Sequence, residues 1–147
     1  MSLKITPFQP PDQAAARALI LAGLAEHWGY LDSSKNPDLA DIHTAYAGAM
    51  FLVAWLDGRI VGTGALVPRS AEVAEIVRMS VAAEVRRQGI GRAILQQLCE
   101  RARQLGFRRL ILETTATWQE VIEFYQGFGF SITHLQDDDV YFSLDLN

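Results

Sequence analysis

The chain has 147 residues, carries 13 Lys and Arg against 17 Asp and Glu, and is half apolar, with a formal net charge of −4. A length of this order suits one domain that buries roughly 70% of the surface of its unfolded chain. The composition excludes a disordered or fibrous protein, and the acidic balance argues against a nucleic-acid partner. We expect a single domain over residues 1–147.

The cysteine content and the hydropathy of the chain indicate the cellular compartment in which the protein is expected. The single cysteine, Cys99, leaves neither a disulfide framework nor a multi-cysteine metal site. The opening residues MSLKITPFQP lack a continuous apolar signal segment, and no run approaches the roughly 20 apolar residues of a membrane helix. These features predict a soluble cytoplasmic protein with no membrane partner.

The first predicted elements are a strand and a helix. Residues 3–8 alternate and stop at prolines, as a short strand does. Asp12 is a candidate cap for the helix that follows, which reaches His27 or Trp28. The predicted inner stripe of this helix has residues at helical spacing, namely Ala15, Leu19, Ala22 and Ala25 or Glu26.

A second short helix and a hairpin follow. Asp38 and Asp41 form a capping arrangement for a helix through Tyr46. The stretch FLVAWLDGRIVGTGALVP then predicts two strands around Asp57 and Gly58, because this dipeptide permits a tight hairpin turn.

The rest of the chain predicts strands at 71–81 and 109–114, helices at 89–105 and 118–128, and a final hairpin over 130–146. The helix at 89–105 has an apolar stripe of Ile90, Ile94, Leu98, Ala102 and Leu105. Because this helix separates the strands at 71–81 and 109–114, we expect those strands to be parallel. The order predicts an α/β (α+β) fold with a mixed, mostly antiparallel sheet of six to seven strands and helices on both faces.

The stretch VRRQGIGRAIL, residues 85–95, places three arginines around two glycines where a helix begins. Amides in the first turn of a helix have no internal partners and carry the positive end of the helix dipole, so this turn favours an anion. It is not a P-loop, which needs GxxxxGK, and Ile94 stands where a dinucleotide fingerprint needs a small residue. A loop with glycines for turn geometry and arginines for solubility is the alternative.

Two longer segments resemble a known family. The segment EIVRMSVAAEVRRQGIGRAIL resembles the acyl-coenzyme A motif of the GNAT superfamily of N-acetyltransferases, and LILETTATWQEVIEFYQGFGF resembles its second motif. The resemblance implies acetyl-CoA as a co-substrate, with Met79 and Val81 as backbone partners of its pantetheine arm. It also implies that the pyrophosphate lies on a turn formed by Arg86, Arg87, Gln88, Gly89, Ile90, Gly91 and Arg92.

Glu75 is the first candidate catalytic residue. Strand alternation predicts one face with Val73, Glu75, Val77, Met79 and Val81, so this carboxylate interrupts an apolar stripe. Desolvation raises a carboxyl pKa towards the range of a general base, and the resemblance places a base in this register in several family members. The alternative is an edge or bulged position where Glu75 faces water.

Tyr125 is the second candidate. It lies on a helical stripe with Trp118, Val121 and Phe128, which is typical of core packing. The resemblance implies in addition that its hydroxyl protonates the departing thiolate of coenzyme A. Trp118 departs from the family pattern, since many relatives carry asparagine there, and this puts the usual contact to the pantetheine in doubt.

The histidines predict no metal site. His27, His43 and His134 lack metal-ligand spacing, and the aspartate run at 137–139 lacks the glycine and distal glutamate of a calcium loop. The aromatic group of His27, Trp28 and Tyr30 lies between the early helices, where it belongs either to an acceptor pocket or to the core.

The resemblance implies an acetyl-CoA dependent N-acetyltransferase, whose acceptor amine attacks the acetyl thioester directly in a ternary complex. The acceptor is either a small-molecule amine or a protein amine. A non-catalytic acyl-CoA binding or sensor module, and an enzyme for a different acyl chain, are the alternatives. The carboxy-terminal hairpin offers an edge for a homodimer.

Overall fold

The computed structural model describes residues 2–29 and 35–146, and it has the predicted order of elements. The strands are β1 (Leu3–Pro7), β2 (Met50–Leu56), β3 (Arg59–Pro68), β4 (Val73–Val81), β5 (Arg109–Thr115), β6 (Ser131–Gln136) and β7 (Asp139–Asp145). The helices are α1 (Gln13–Trp28), α2 (Ile42–Ala45), α3 (Ile90–Gln104) and α4 (Gln119–Phe128).

The seven strands form one sheet in the order β1-β2-β3-β4-β5-β7-β6. Every neighbouring pair is antiparallel except β4 and β5, which are parallel as predicted. Their pairing starts at Val73 with Arg109 and ends at Glu75 with Ile111. Beyond Glu75 the two strands continue without pairing to each other, and we call this opening the β4–β5 slot.

Helices cover both faces of the sheet. On one face, α3 and α4 pack on the larger apolar cluster, which includes Ile94, Leu98 and Cys99. On the other face, α1 and α2 pack on a smaller cluster that includes Ile20 and Ile42. The β4–β5 slot therefore lies between two layers of helices.

Two details of the predicted helix faces are wrong. The buried residues of α1 are Ala16 and Ile20, whereas Ala15 and Ala22 are exposed. Most of α1 is apolar, so the sequence does not determine which face is buried. Leu105 follows the last residue of α3 and is 61% exposed, because it lies past the stripe that the helix holds against the sheet.

The predicted caps also differ from the structure. The Asp12 carboxylate does not cap α1 but accepts a hydrogen bond of 2.9 Å from the Gln9 amide. Asp41 caps α2 by accepting from the Thr44 amide, whereas Asp38 lies in a separate turn, Pro37–Ala40. That turn leaves the Asp38 side chain available for another contact.

A bulge in β4 reverses the direction of its side chains. Thr63 pairs with Ser80 and Ala65 with Val77, so β4 has one residue more than β3 between these pairs. Arg78 takes up the extra residue with φ of 55°, and the Thr63 hydroxyl donates a hydrogen bond of 2.8 Å to its carbonyl. Val77 therefore packs on the α1 side and Met79 on the α3 side, so the single face predicted for Val73 to Val81 is wrong.

Candidate active site

The turn before α3 presents unpaired backbone amides. Arg87 and Gly89 have φ values of 64° and 84°, which turn the chain so that α3 begins at Ile90. The first amide to bond back is that of Ala93, which donates to the Gly89 carbonyl at 3.0 Å. The amides of residues 89–92 precede this bond and have no acceptor within the helix. We call residues 86–92 the anion turn.

The approach to the anion turn is open at Gly89. A Cβ atom built on Gly89 would have no atom within 4 Å, so the backbone there is accessible to a ligand. On Gly91 it would lie 3.5 Å from both Val81 and Phe124. Thus β4, α3 and α4 converge at Gly91, and the predicted residues Met79 and Val81 lie at this end of the slot.

The arginines of the turn have different partners. Arg86 donates to both carboxylate oxygens of Glu26 in α1, at 2.6 and 3.1 Å, and to the Val81 carbonyl at 3.2 Å. The hydrogen bond and charge of Arg86 lower the pKa of Glu26. The Arg87 guanidinium lies 3.6 Å from Glu120. Arg86 therefore ties α1 to the turn, while Arg87 lies beside it in solvent.

Arg92 completes the set of cations. Its guanidinium lies 5.4 Å from the centre of the Phe128 ring, in the range of a cation–π contact. This contact holds the side chain on α4 and leaves the backbone amide of Arg92 at the turn.

Tyr125 is a core residue by its packing. It is only 6% exposed, and its ring contacts Phe124, Phe130 and Phe142 at centre distances of 5.2 to 5.8 Å. Burial raises the pKa of the Tyr125 hydroxyl, which keeps it protonated. The prediction that the Tyr125 ring packs in the core is therefore confirmed. A neutral hydroxyl is also the form that can donate a proton.

An aromatic stack joins the two sides of the sheet. The rings of His27 and Trp118 are stacked at 4.0 Å with an interplanar angle of 17°, and Trp28 meets His27 edge-on at 4.6 Å. His27 lies in the last turn of α1 on one face, and Trp118 precedes α4 on the other. Tyr30, the third member of the predicted aromatic group, lies outside the described residues.

A polar cleft lies on the α1 and α2 side of the slot. Its volume is about 730 Å³, and Glu75, Arg69 and Arg78 line it. The Glu75 side chain is 16% exposed, so it is largely withdrawn from solvent at the wall of the cleft. Both Nε and Nη2 of Arg69 lie 2.7 Å from Glu75 Oε1, a contact that the sequence analysis missed.

A second network closes the other side of the cleft. Arg78 donates from Nε and Nη2 to the two oxygens of Asp38 at 3.0 and 2.7 Å, and from Nη2 to Asn36 at 3.1 Å. The Tyr46 hydroxyl donates to Asp38 at 2.6 Å. No sequence signal marks this network, because Arg78 is 40 positions from Asp38 in the chain.

The network also shifts the protonation of its members. Burial alone would raise the pKa of Asp38, but the hydrogen bonds from Arg78 and Tyr46 outweigh it and lower that pKa. Burial and the bond to Asp38 raise the pKa of Tyr46 to about 12. At neutral pH the network is therefore an ion pair with a neutral phenol, which fixes the segment before α2 on the β4 bulge.

Grouped metal-ligand side chains and membrane-spanning helices are both absent from the described residues. Over residues 2–29 and 35–146, no three His, Cys, Asp or Glu side chains are grouped as a metal site. Within the same residues no helix combines the length and the apolar character that crossing a membrane would require.

Comparison with known proteins identifies the family of this chain and other proteins with its fold. The acetyltransferase (GNAT) family model matches residues 20–130, which include the anion turn, the slot and Tyr125. The chain belongs to this family. An acetyltransferase of the GNAT family from Staphylococcus aureus Mu50 has the same fold, with a TM-score of 0.91 at 20% identity over 99% of this chain and 100% of that one.

Curated relatives are similar over part of their length. The N-acetyltransferase YjgM of Escherichia coli K12 is 30% identical over 113 residues, which are 74% of this chain and 66% of that protein. The N-acetylaspartate synthetase of Danio rerio is 34% identical over 105 residues, 69% of this chain and 37% of that protein. The chain thus spans less than two thirds of the length of these relatives.

Proposed function

We propose that this protein transfers an acetyl group from acetyl-CoA to an amine acceptor. One observation carries the proposal: the anion turn and the carboxylate-lined cleft lie at different parts of the same slot. A ligand with a phosphate end and an extended arm can place its phosphates on the free amides and reach the cleft along the unpaired edge of β4. The paiA N-acetyltransferase of Thermoplasma acidophilum, with a TM-score of 0.85 at 16% identity over 99% of each chain, was crystallised with coenzyme A.

The residues present fit this co-substrate. The amides of residues 88–92, with Arg87 and Arg92 beside them, would hold the pyrophosphate, and the open space at Gly89 admits it. The backbone of Met79 and Val81 would contact the pantetheine arm along the slot, as an added strand would. Arg86 would keep α1 against this ligand through Glu26.

The reaction needs two proton movements. The neutral amine nitrogen bonds to the acetyl carbon, the carbon–sulfur bond breaks, and its electron pair leaves on sulfur. Glu75, or a water beside it, takes the proton from nitrogen, and the protonated Tyr125 hydroxyl gives a proton to the thiolate. No covalent intermediate on the protein is required, because positioning both substrates supplies much of the rate.

A binding experiment with a folded variant tests the site. Gly91→Glu would bring a carboxylate to the amides between Val81 and Phe124, and we expect acetyl-CoA affinity by calorimetry to be lost. Gly127→Glu is the matched control, since Gly127 is exposed on α4 and a Cβ there meets no atom within 4 Å. Unchanged affinity in a folded Gly91→Glu protein would refute the proposed binding mode.

A transfer experiment tests the activity. Thiol release from acetyl-CoA with a panel of small amines and peptide amines, with mass detection of the products, should show acetylated acceptors. Tight acetyl-CoA binding without transfer to any amine would instead indicate a sensor module. If another acyl-CoA raises the Tm more than acetyl-CoA does, that acyl-CoA would be the donor.

We also propose that residues 1–147 act as one catalytic domain in the cytoplasm. Support for a homodimer comes from β6, which is exposed along its whole length and includes Leu135, a large exposed apolar residue. The mass in solution, measured by light scattering, tests whether β6 pairs with a second copy.

A further inference from the structure

The polar cleft and a smaller cavity meet at two carboxylates. The smaller cavity, of about 260 Å³, lies over β5 and β7, and it shares only Glu75 and Glu113 with the larger cleft among the residues that line both. Glu75 pairs with Ile111 in the register of the sheet, and Glu113 lies two residues further along β5 on the same face. The two carboxylates therefore flank the place where the slot begins.

Glu113 differs from Glu75 in its partner. Among the described residues Glu113 makes no ion pair, and it lies opposite Tyr141 in the register of β5 and β7. Glu75, in contrast, is already neutralised by Arg69. Glu113 is thus the carboxylate of the cleft that can attract the ammonium form of an acceptor.

The two arginines of the cleft also differ. The Arg78 side chain is only 20% exposed, and its bonds to Asp38 and Asn36 hold the fold of the cleft wall. The Arg69 side chain is 50% exposed, and both of its bonds go to one oxygen of Glu75. Arg69 therefore presents a free side of its guanidinium to a ligand, next to a carboxylate.

The charges that line the cleft do not suit an acceptor with several ammonium groups. Its lining has three carboxylates, Asp38, Glu75 and Glu113, against two guanidinium groups, so the balance is one negative charge. An acceptor with several ammonium groups would need more uncompensated carboxylates. An acceptor with one ammonium and one carboxylate suits an exposed ion pair better, because each of its charges then lies beside the opposite charge of the pair.

We propose that the acceptor is a small amine that carries its own carboxylate beside the amine, of the amino-acid type, with its carboxylate on Arg69 and its nitrogen between Glu75 and Glu113. This assignment rests on the proposed acetyl transfer and names the acceptor class for it. The ammonium must lose a proton before it attacks, and the two carboxylates are where that proton can go.

Matched acceptor pairs test the assignment. We would compare kcat/KM for L-phenylalanine with phenethylamine and L-phenylalanine amide, and for L-histidine with histamine. Loss of a charge-assisted contact to the carboxylate should lower kcat/KM by about tenfold or more for the amine and the amide. Equal or better transfer to histamine, phenethylamine or peptide amines would overturn the acceptor class but leave acetyl transfer standing, whereas transfer to no member of the panel would overturn both.

A variant separates Arg69 from general effects of charge. Arg69→Met should leave acetyl-CoA affinity unchanged and, through a raised KM, lower kcat/KM for the amino acids by about tenfold more than it lowers kcat/KM for phenethylamine. Arg69→Lys should restore part of the loss. Arg59→Met is the matched control, because Arg59 makes an exposed ion pair of 3.1 Å with Glu84 at the far end of β3. Equal losses for amino acids and phenethylamine in Arg69→Met would overturn the proposal.

Discussion

Replacing Gly89 by alanine should separate the strain of the anion turn from its function. Gly89 has φ of 84° and a Cβ there would touch nothing within 4 Å, so the substitution adds backbone strain without a clash. An L-residue in the left-handed region costs about 1–2 kcal/mol. For a chain of this size that corresponds to a fall in Tm of about 3–8 °C.

A glycine in the turn between β2 and β3 provides a matched control for this backbone strain. Gly58 has φ of 78°, and a Cβ there also meets no atom within 4 Å. Gly58→Ala should therefore lower Tm by a similar amount. Only Gly89→Ala should weaken acetyl-CoA, by about tenfold, because relief of the strain moves the amides and the new methyl group occupies the open approach to them.

The assay is isothermal calorimetry with acetyl-CoA on both variants, with Tm from differential scanning calorimetry. If the two variants lose stability equally and bind acetyl-CoA equally well, the anion turn does not hold the phosphates. If Gly89→Ala loses no stability, the left-handed backbone at Gly89 is not a constraint on this fold.

Three further predictions concern the cleft and the core. Glu75→Gln should lower turnover by roughly 10² to 10⁴ with unchanged acetyl-CoA affinity, and a loss below about threefold would assign the proton to water or another group. Tyr125→Phe keeps the ring packing, so it should stay folded while turnover falls by roughly tenfold to a thousandfold; equal rates would leave Tyr125 as a packing residue. Asp38→Asn should lower stability at pH 7 by about 1–3 kcal/mol. The folded pKa of Asp38 lies below its ordinary value of 3.8, so this stability is present above that value and is lost as the pH falls below it. The Tm values of the two proteins should therefore converge in acid. A constant difference in Tm down to pH 3 would contradict the ion pair.

Local sequence rules account for most of the fold. The hairpin turn at Asp57 and Gly58 has φ values of 52° and 78°, as the Asp-Gly dipeptide predicts. The stripe of α3 is buried from Ile90 to Ala102, since its period matches the helix and its other face is charged. These features depend on residues a few positions apart, which is the range that a sequence pattern reports.

The contacts of the cleft depend on tertiary placement and could not be predicted. Arg78 meets Asp38 across 40 positions of the chain, and the bulge that turns Arg78 into the cleft follows from one extra residue in β4. A single extra residue changes no composition and leaves the alternation of β4 looking regular. The stack of His27 on Trp118 has the same origin, because it forms only once helices from both faces meet.

The slot gives this sheet a hidden edge in addition to its two outer ones. An open strand edge is usually a risk, because its unpaired amides and carbonyls can recruit a strand from another molecule and start aggregation. Here the unpaired stretches of β4 and β5 face each other within the sheet, between α3 and α4 on one side and α1 on the other. Helices therefore cover this hidden edge on both sides, whereas the outer strand β6 is exposed along its whole length. The protein thus keeps unpaired backbone groups inside the fold, away from the outer edge that another copy would meet first.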